Sequence, residues 1–178
     1  FSPTITELPM LERRYRKVAV ARNPYSRIVS FYCDKVLKKE NRLPSLSTKR
    51  RIPYAEDMTF RELVTQIAEI QDSEIECHLR SQTHDRVHLF FDRVVRVEQF
   101  QQDITELSNA LGIQRLQCTP HRNRTTYNDR AAMQVCDWRP SEFREQKPPS
   151  YRHFFDGDLQ RRVKMRYERD IGILNYSF

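Results

Sequence analysis

Residues Lys17–Tyr32 read K-V-A-V-A-R-N-P-Y-S-R-I-V-S-F-Y, and their reading decides the fold. Val18, Ala19, Val20 and Ala21 form a short apolar run, the pattern of a buried strand. Arg22 closes it. Asn23 can cap a helix whose first position is Pro24, where a missing N–H costs nothing. A strand therefore ends on a charged residue and turns directly into a helix, predicted from Pro24 to about Lys39. On that helix Tyr25, Ile28, Val29, Tyr32 and Val36 share an apolar side. Asn23, Arg27, Ser30 and Asp34 share a polar stripe, at spacings of three and four. Arg22 and Ser30 can then face one cleft at the carboxyl end of a strand, the place where open α/β sheets bind ligands. A guanidinium, a hydroxyl and a helix N-terminus together suit a phosphate group.

Outward from this stretch, the chain alternates helical and strand-like segments. Lys38–Arg51 carries six basic residues against the single acid Glu40, with Pro44, Ser45, Ser47 and Thr48 marking it as a loop. It reads as a solvated loop or as a rim that draws in an acidic substrate. Thr59-Phe60-Arg61-Glu62 is a capping-box pattern, and Phe60, Leu63, Val64 and Ile67 follow at helical spacing. A helix from Thr59 to about Gln71 is predicted. Val87–Val97 is rich in β-branched and aromatic residues, with Arg93–Val97 as the expected sheet strand. Phe100, Ile104, Leu107 and Leu111 mark a further helix, stopped by Gly112. Leu116–Lys147 shows no sustained periodicity and reads as a long loop. The last helical element, beginning near Ser150 or Asp156, has Leu159, Val163 and Tyr167 on its apolar side.

The 178 residues suffice for one domain with a real core. No apolar run is long enough to cross a membrane as a helix. A net charge of +7 favours polyanionic partners. The basic residues do not form one continuous helix stripe, which argues against a dedicated nucleic-acid module. Cys33, Cys77, Cys118 and Cys136 include no C-x-x-C pair, so no metal site is expected.

The Arg22 stretch resembles the second cofactor motif of the sulfotransferases that use 3′-phosphoadenosine 5′-phosphosulfate (PAPS), most closely the branch that sulfates carbohydrates. There, an arginine at a strand end and a serine eight residues on hold the 3′-phosphate. The resemblance implies that role for Arg22 and Ser30. It also implies the fold: α/β, P-loop-NTPase-like, with a central parallel sheet flanked by helices. Three further stretches are similar in the family's order. H-L-R-S-Q at 78–82 resembles the H-x-R/x-P-Q segment, with Ser81 where the family usually carries proline. F-D-R-V-V-R-V-E at 91–98, followed by a helix carrying an acid, resembles the next part. H-R-N-R-T-T-Y at 121–127 resembles the late loop that closes over the nucleotide. Y-E-R-D-I-G-I-L-N-Y at 167–176 resembles the family's ending, with a packing role for Tyr167, Ile171 and Tyr176.

By that resemblance His78 and Arg80 bind the acceptor, and His78 is a candidate catalytic base, although the family's base can also lie upstream. Arg122, Arg124 and Thr125 are candidate nucleotide contacts. The implied donor is PAPS, leaving adenosine 3′,5′-bisphosphate, and no metal takes part. The implied partner is a carbohydrate or other hydroxyl-bearing acceptor, more acidic than neutral, and not nucleic acid. The compartment implied is the cytoplasm of a bacterial-type cell or, alternatively, the Golgi lumen. The family's Gly-, Lys- and Ser/Thr-rich phosphate loop has no counterpart around Gly112, Gly157 or Gly172. The expectation is a single sulfotransferase-like domain over 1–178 whose first strand, loop and helix lie outside the chain. The alternative is a non-catalytic module of the same fold that binds a nucleotide or sulfated glycan.

Overall fold

The computed structural model describes residues 16–38, 57–83, 89, 91–113, 128, 133–143 and 147–178. The chain packs as two compact units, one of Phe1–Arg22 with Gln82–Thr119 and one of Asn23–Ser81 with Pro120–Phe178. The architecture is mixed α/β, with helices and a parallel two-stranded sheet.

In the first unit, strand β1 (Val18–Ala21) pairs in parallel with β2 (Arg93–Arg96), with Val18 opposite Arg93 and Ala21 opposite Arg96. Asp92 ties the entry to both strands. Its carboxylate accepts from the Lys17 backbone N–H at 2.8 Å and from Arg16 at 3.2 Å, and its own N–H donates to the Lys17 carbonyl at 2.9 Å. The expected burial of the β1 run is only partly met. Ala21 is buried, but Val20 is 61% exposed while its register partner Val95 is 1% exposed. A continuous apolar run implies cover on both faces of a parallel sheet, and the Val20 side chain lacks it.

Helix α3 (Phe100–Leu111) lies in this unit. It ends as its glycine requires: Gly112 sits at φ 62°, the Gly112 N–H donates to Asn109 and the Ile113 N–H to Ser108. This is the paired bonding of a Schellman end, where a Cβ would be strained. Asp103, buried on α3, accepts from the Arg96 N–H at 2.7 Å and from its guanidinium at 3.3 Å, fixing the end of β2 to the helix.

In the second unit, α1 (Pro24–Tyr32) begins at an Asn23 cap whose side chain accepts from the Tyr25 N–H at 3.0 Å. The expected single helix to Lys39 instead changes pitch, running as a π-helical turn over Cys33–Leu37. The apolar side is buried as predicted, with Ile28, Val29, Tyr32 and Val36 at 0% exposure. Helix α2 (Phe60–Ala68) carries the complete capping box of Thr59 and Glu62, and stops three residues before the predicted Gln71. Helices α4 (Pro140–Phe143), α5 (Gly157–Arg166) and α6 (Glu168–Leu174) complete the unit.

Its core is aromatic. Tyr32, Phe60, Phe143, Phe154 and Phe155 meet at centroid distances of 5.1–6.5 Å, mostly edge to face. Each such pair adds about 0.5–1.5 kcal/mol beyond area burial. The buried Tyr32 hydroxyl donates to the Met58 carbonyl at 2.9 Å, so the ring is buried without stranding its polar tip. The loop predicted over Leu116–Lys147 proves to feed this core: Val135, Cys136 and Phe143 are buried. Their anchor is Arg61, whose guanidinium bridges Asp137 at 2.5 Å and Asp156 at 2.6 Å.

Candidate functional site

Each predicted site residue has a defined place or falls outside the described residues. Arg22, in the first unit, follows β1. Its backbone is held by the Gln82 side chain, whose Oε1 accepts from the Arg22 N–H at 2.8 Å and whose Nε2 donates to the Arg22 carbonyl at 2.7 Å. This reciprocal amide clasp copies a strand partner and fixes the residue from which the guanidinium extends. It also gives Gln82, in the 78–82 segment, a definite task. Ser30, in the second unit, lies half-buried on α1, on the predicted polar stripe. Arg122, Arg124 and Thr125 lie outside the described residues, as does all of the basic loop beyond Lys38 up to Arg51.

His78 and Arg80 lie on one rigid turn of the second unit. A short 3-10 turn, Cys77–Leu79, is capped by Glu76, whose Oε2 accepts from the His78 N–H at 2.6 Å. The other carboxylate oxygen lies 2.6 Å from His78 Nδ1 and accepts from Cys77 Sγ at 3.0 Å. Glu76 is 2% exposed, whereas the His78 side chain is 62% exposed. Burial alone would push the Glu76 carboxyl up. The hydrogen bonds from Cys77 and His78, with the His78 charge, outweigh it and hold the group below its ordinary value. An ionised Glu76 can only accept, so His78 donates Nδ1–H to it. Whenever the ring is neutral, that bond leaves the lone pair on Nε2, the tautomer a general base needs.

Arg80 turns back. Its guanidinium donates to the carbonyls of Ile75 at 3.3 Å and Ser73 at 3.4 Å. It therefore braces the turn as well as carrying charge.

The C-terminal Tyr-x-x-Asp does more than pack. Tyr167, buried, donates its hydroxyl to the Leu79 carbonyl at 2.5 Å, and burial pushes its pKa up to about 12. Asp170, at 0% exposure, accepts from the Ser81 hydroxyl at 2.5 Å and pairs with Arg27 at 3.5 Å. Arg27 lies over the Tyr167 ring, 5.1 Å from its centroid. Ser81, standing where the family usually has proline, thus has its own anchor. Sequence reading missed this cluster, though one local signal existed: Arg27 repeats the polar stripe of α1 and had no assigned task.

Compared with known proteins, the chain matches the profile described as the sulfotransferase family over residues 2–177. The chain belongs to the sulfotransferase family. No curated protein and no solved structure matches it significantly. Membership agrees with the mixed α/β architecture and with the order strand, Arg-Asn-Pro turn, helix. It supports sulfotransferase activity in general terms. Asp92 and Asp103, the acids of the 91–103 segment, fasten β1, β2 and α3 to one another. Among the described residues no helix is long and apolar enough to cross a membrane.

Proposed function

We propose that this sulfotransferase-family chain, as the 1–178 portion of a single sulfotransferase-like domain whose first strand, phosphate loop and helix lie outside it, serves the transfer of a sulfonate group from PAPS to a hydroxyl of a carbohydrate or related acidic acceptor. The observation that supports the reading is that a strand ends at Ala21 just before Arg22 and a helix starts at Pro24 behind the Asn23 cap, both within the family match. The donor set fits a phosphate: Arg22 brings a fixed charge and forked donors, and Ser30 a hydroxyl that is not fully buried. Bound PAPS supplies an activated sulfonate and a phosphate leaving group. Arg22 and Ser30 hold the 3′-phosphate, joined by Arg122, Arg124 and Thr125.

On the acceptor side, His78 presents Nε2 to the attacking hydroxyl and takes its proton, held in orientation by Glu76. Arg80 favours a carboxylate or sulfate on the acceptor, with the Lys38–Arg51 rim adding long-range attraction. The acceptor oxygen forms the new bond to sulfur as the bond from sulfur to the phosphate oxygen breaks.

Calorimetry on the full chain tests the donor half by comparing adenosine 3′,5′-bisphosphate with adenosine 5′-phosphate. The bisphosphate is expected to bind more tightly. Arg22→Ala should weaken it by about 2–4 kcal/mol and Ser30→Ala by about 1 kcal/mol, with the monophosphate little changed. Equal affinity for the two nucleotides, or equal loss for both in Arg22→Ala, refutes the assignment. In a sulfonate-transfer assay His78→Ala should lower kcat by about 10²–10⁴ with bisphosphate binding intact. Undiminished turnover removes His78 as the base.

A further inference from the structure

We infer that Glu76, Cys77 and His78 form a binding site for a borderline-soft divalent cation of the zinc type. The three side chains offer an oxygen, a sulfur and a nitrogen ligand, all within 4.8 Å of one another. Cys77 Sγ and His78 Nδ1 are 3.6 Å apart, close to the ~3.5 Å edge of a tetrahedron built on zinc–sulfur and zinc–nitrogen bonds. Glu76 Oε1 lies 3.0 Å from the sulfur and 2.6 Å from the nitrogen. Those edges need to open by roughly 0.5–0.7 Å to reach metal-ligand spacing. Rotation of the exposed Cys77 and His78 side chains can supply that movement.

Sequence spacing hid the cluster, because three consecutive residues match no paired-cysteine pattern. The turn brings them together. The Leu79 N–H donates to the Glu76 carbonyl at 2.9 Å, and Tyr167 holds the Leu79 carbonyl from the other side. Glu76 is anchored in the interior while Cys77 and His78 face solvent. This leaves the fourth position of a tetrahedron open to water. A mixed N, O and S set selects zinc-like ions over magnesium or calcium, which demand oxygen.

On binding, the Cys77 thiol releases its proton to solvent. The neutral imidazole moves its proton from Nδ1 to Nε2, so no oxidant or reductant is involved. The site stands independently of the sulfotransferase reading. If both hold, an occupied site places a proton on Nε2 and the cation suppresses transfer.

The test is a Co²⁺ titration of the full chain under reducing conditions, followed by absorption spectroscopy. One ion per chain is expected, with a thiolate-to-metal charge-transfer band and tetrahedral d–d bands. Zn²⁺ should displace it, and millimolar Mg²⁺ should not. Cys77→Ser should abolish the charge-transfer band. His78→Ala, at an exposed position that spares folding, should weaken Co²⁺ binding by about 10–100-fold or more. Absence of the band overturns the proposal. So does a band that persists in Cys77→Ser, or an unchanged affinity in His78→Ala. No readout depends on turnover, so failure here leaves the proposed activity untouched, and the reverse.

Discussion

Asp170 is an acidic side chain wholly buried in the second unit. Burying a carboxylate is tolerable only with partners that replace its water. Ser81 and Arg27 are such partners. Through them Asp170 joins the 79–81 segment to α1, and Tyr167 adds a second tie at Leu79. Asp170→Asn is expected to cost about 2–4 kcal/mol, since it removes charge from a buried, hydrogen-bonded pair. Ser81→Ala should cost less, about 1–2 kcal/mol. Because the two share one hydrogen bond, the double variant should lose less than the sum. Urea denaturation of the four proteins measures this. Strict additivity would show that the Ser81–Asp170 bond contributes nothing. The residue-level logic also explains what sequence could not show. Residues 81 and 170 are 89 positions apart, and a pairing at that distance leaves no periodic trace.

At the scale of elements, capping chemistry was the most readable part of the chain. Asn23-Pro24, Thr59-x-x-Glu62 and Gly112 each mark a helix end, and each performs the bonding its side chain dictates. Two departures leave no trace in the apolar spacing. The helix after Pro24 widens into a π turn over Cys33–Leu37, although apolar spacing continues to Val36. The stretch around Val135–Phe143 lacks periodicity yet buries Val135, Cys136 and Phe143, because aromatic packing and the Arg61 bridges hold it rather than a repeated face. The two N-caps differ in a way that can be measured. Thr59 closes a local box with Glu62. Asn23 accepts from Tyr25 and also donates from Nδ2 to the Ser177 carbonyl at 2.7 Å, reaching the far end of the chain. Thr59→Ala should cost about 1 kcal/mol. Asn23→Ala should cost about 0.5–1 kcal/mol more, for the additional bond. Equal losses in denaturant midpoints, at unchanged slopes, would mean that the Ser177 tie is energetically silent.

Across the whole molecule, the acids that fasten elements together set the response to pH. The family strings at 17–32 and 91–103 made the two strands and their order legible in advance, and the string at 78–82 marked the segment that folds as the Glu76-capped turn. Which acids hold the structure was not legible, since local sequence does not reveal that Arg61 answers to Asp137 and Asp156. In the second unit, the Leu159 backbone N–H and then Arg61 draw the Asp156 carboxyl below its usual value against the opposing effect of burial. Arg61 does the same for Asp137. In the first unit, burial pushes the Asp103 carboxyl up, but the Arg96 hydrogen bonds and charge outweigh it and leave it lowered. Each carboxyl therefore has a folded pKa below its unfolded value of about 3.9. Between those two values the unfolded chain binds more protons, so stability rises with pH there. The contribution is complete above the unfolded value and is lost as pH falls through the folded one. Thermal or urea midpoints are thus expected to hold steady from about pH 7 to 5 on account of these groups and to fall steeply below about pH 4. Asp156→Asn tests the cause. It removes one depressed carboxyl and leaves Arg61 its Asp137 partner, so it should lower stability at pH 7 and flatten the acid limb. An acid limb in Asp156→Asn as steep as in the parent chain would show that other groups govern the acid loss.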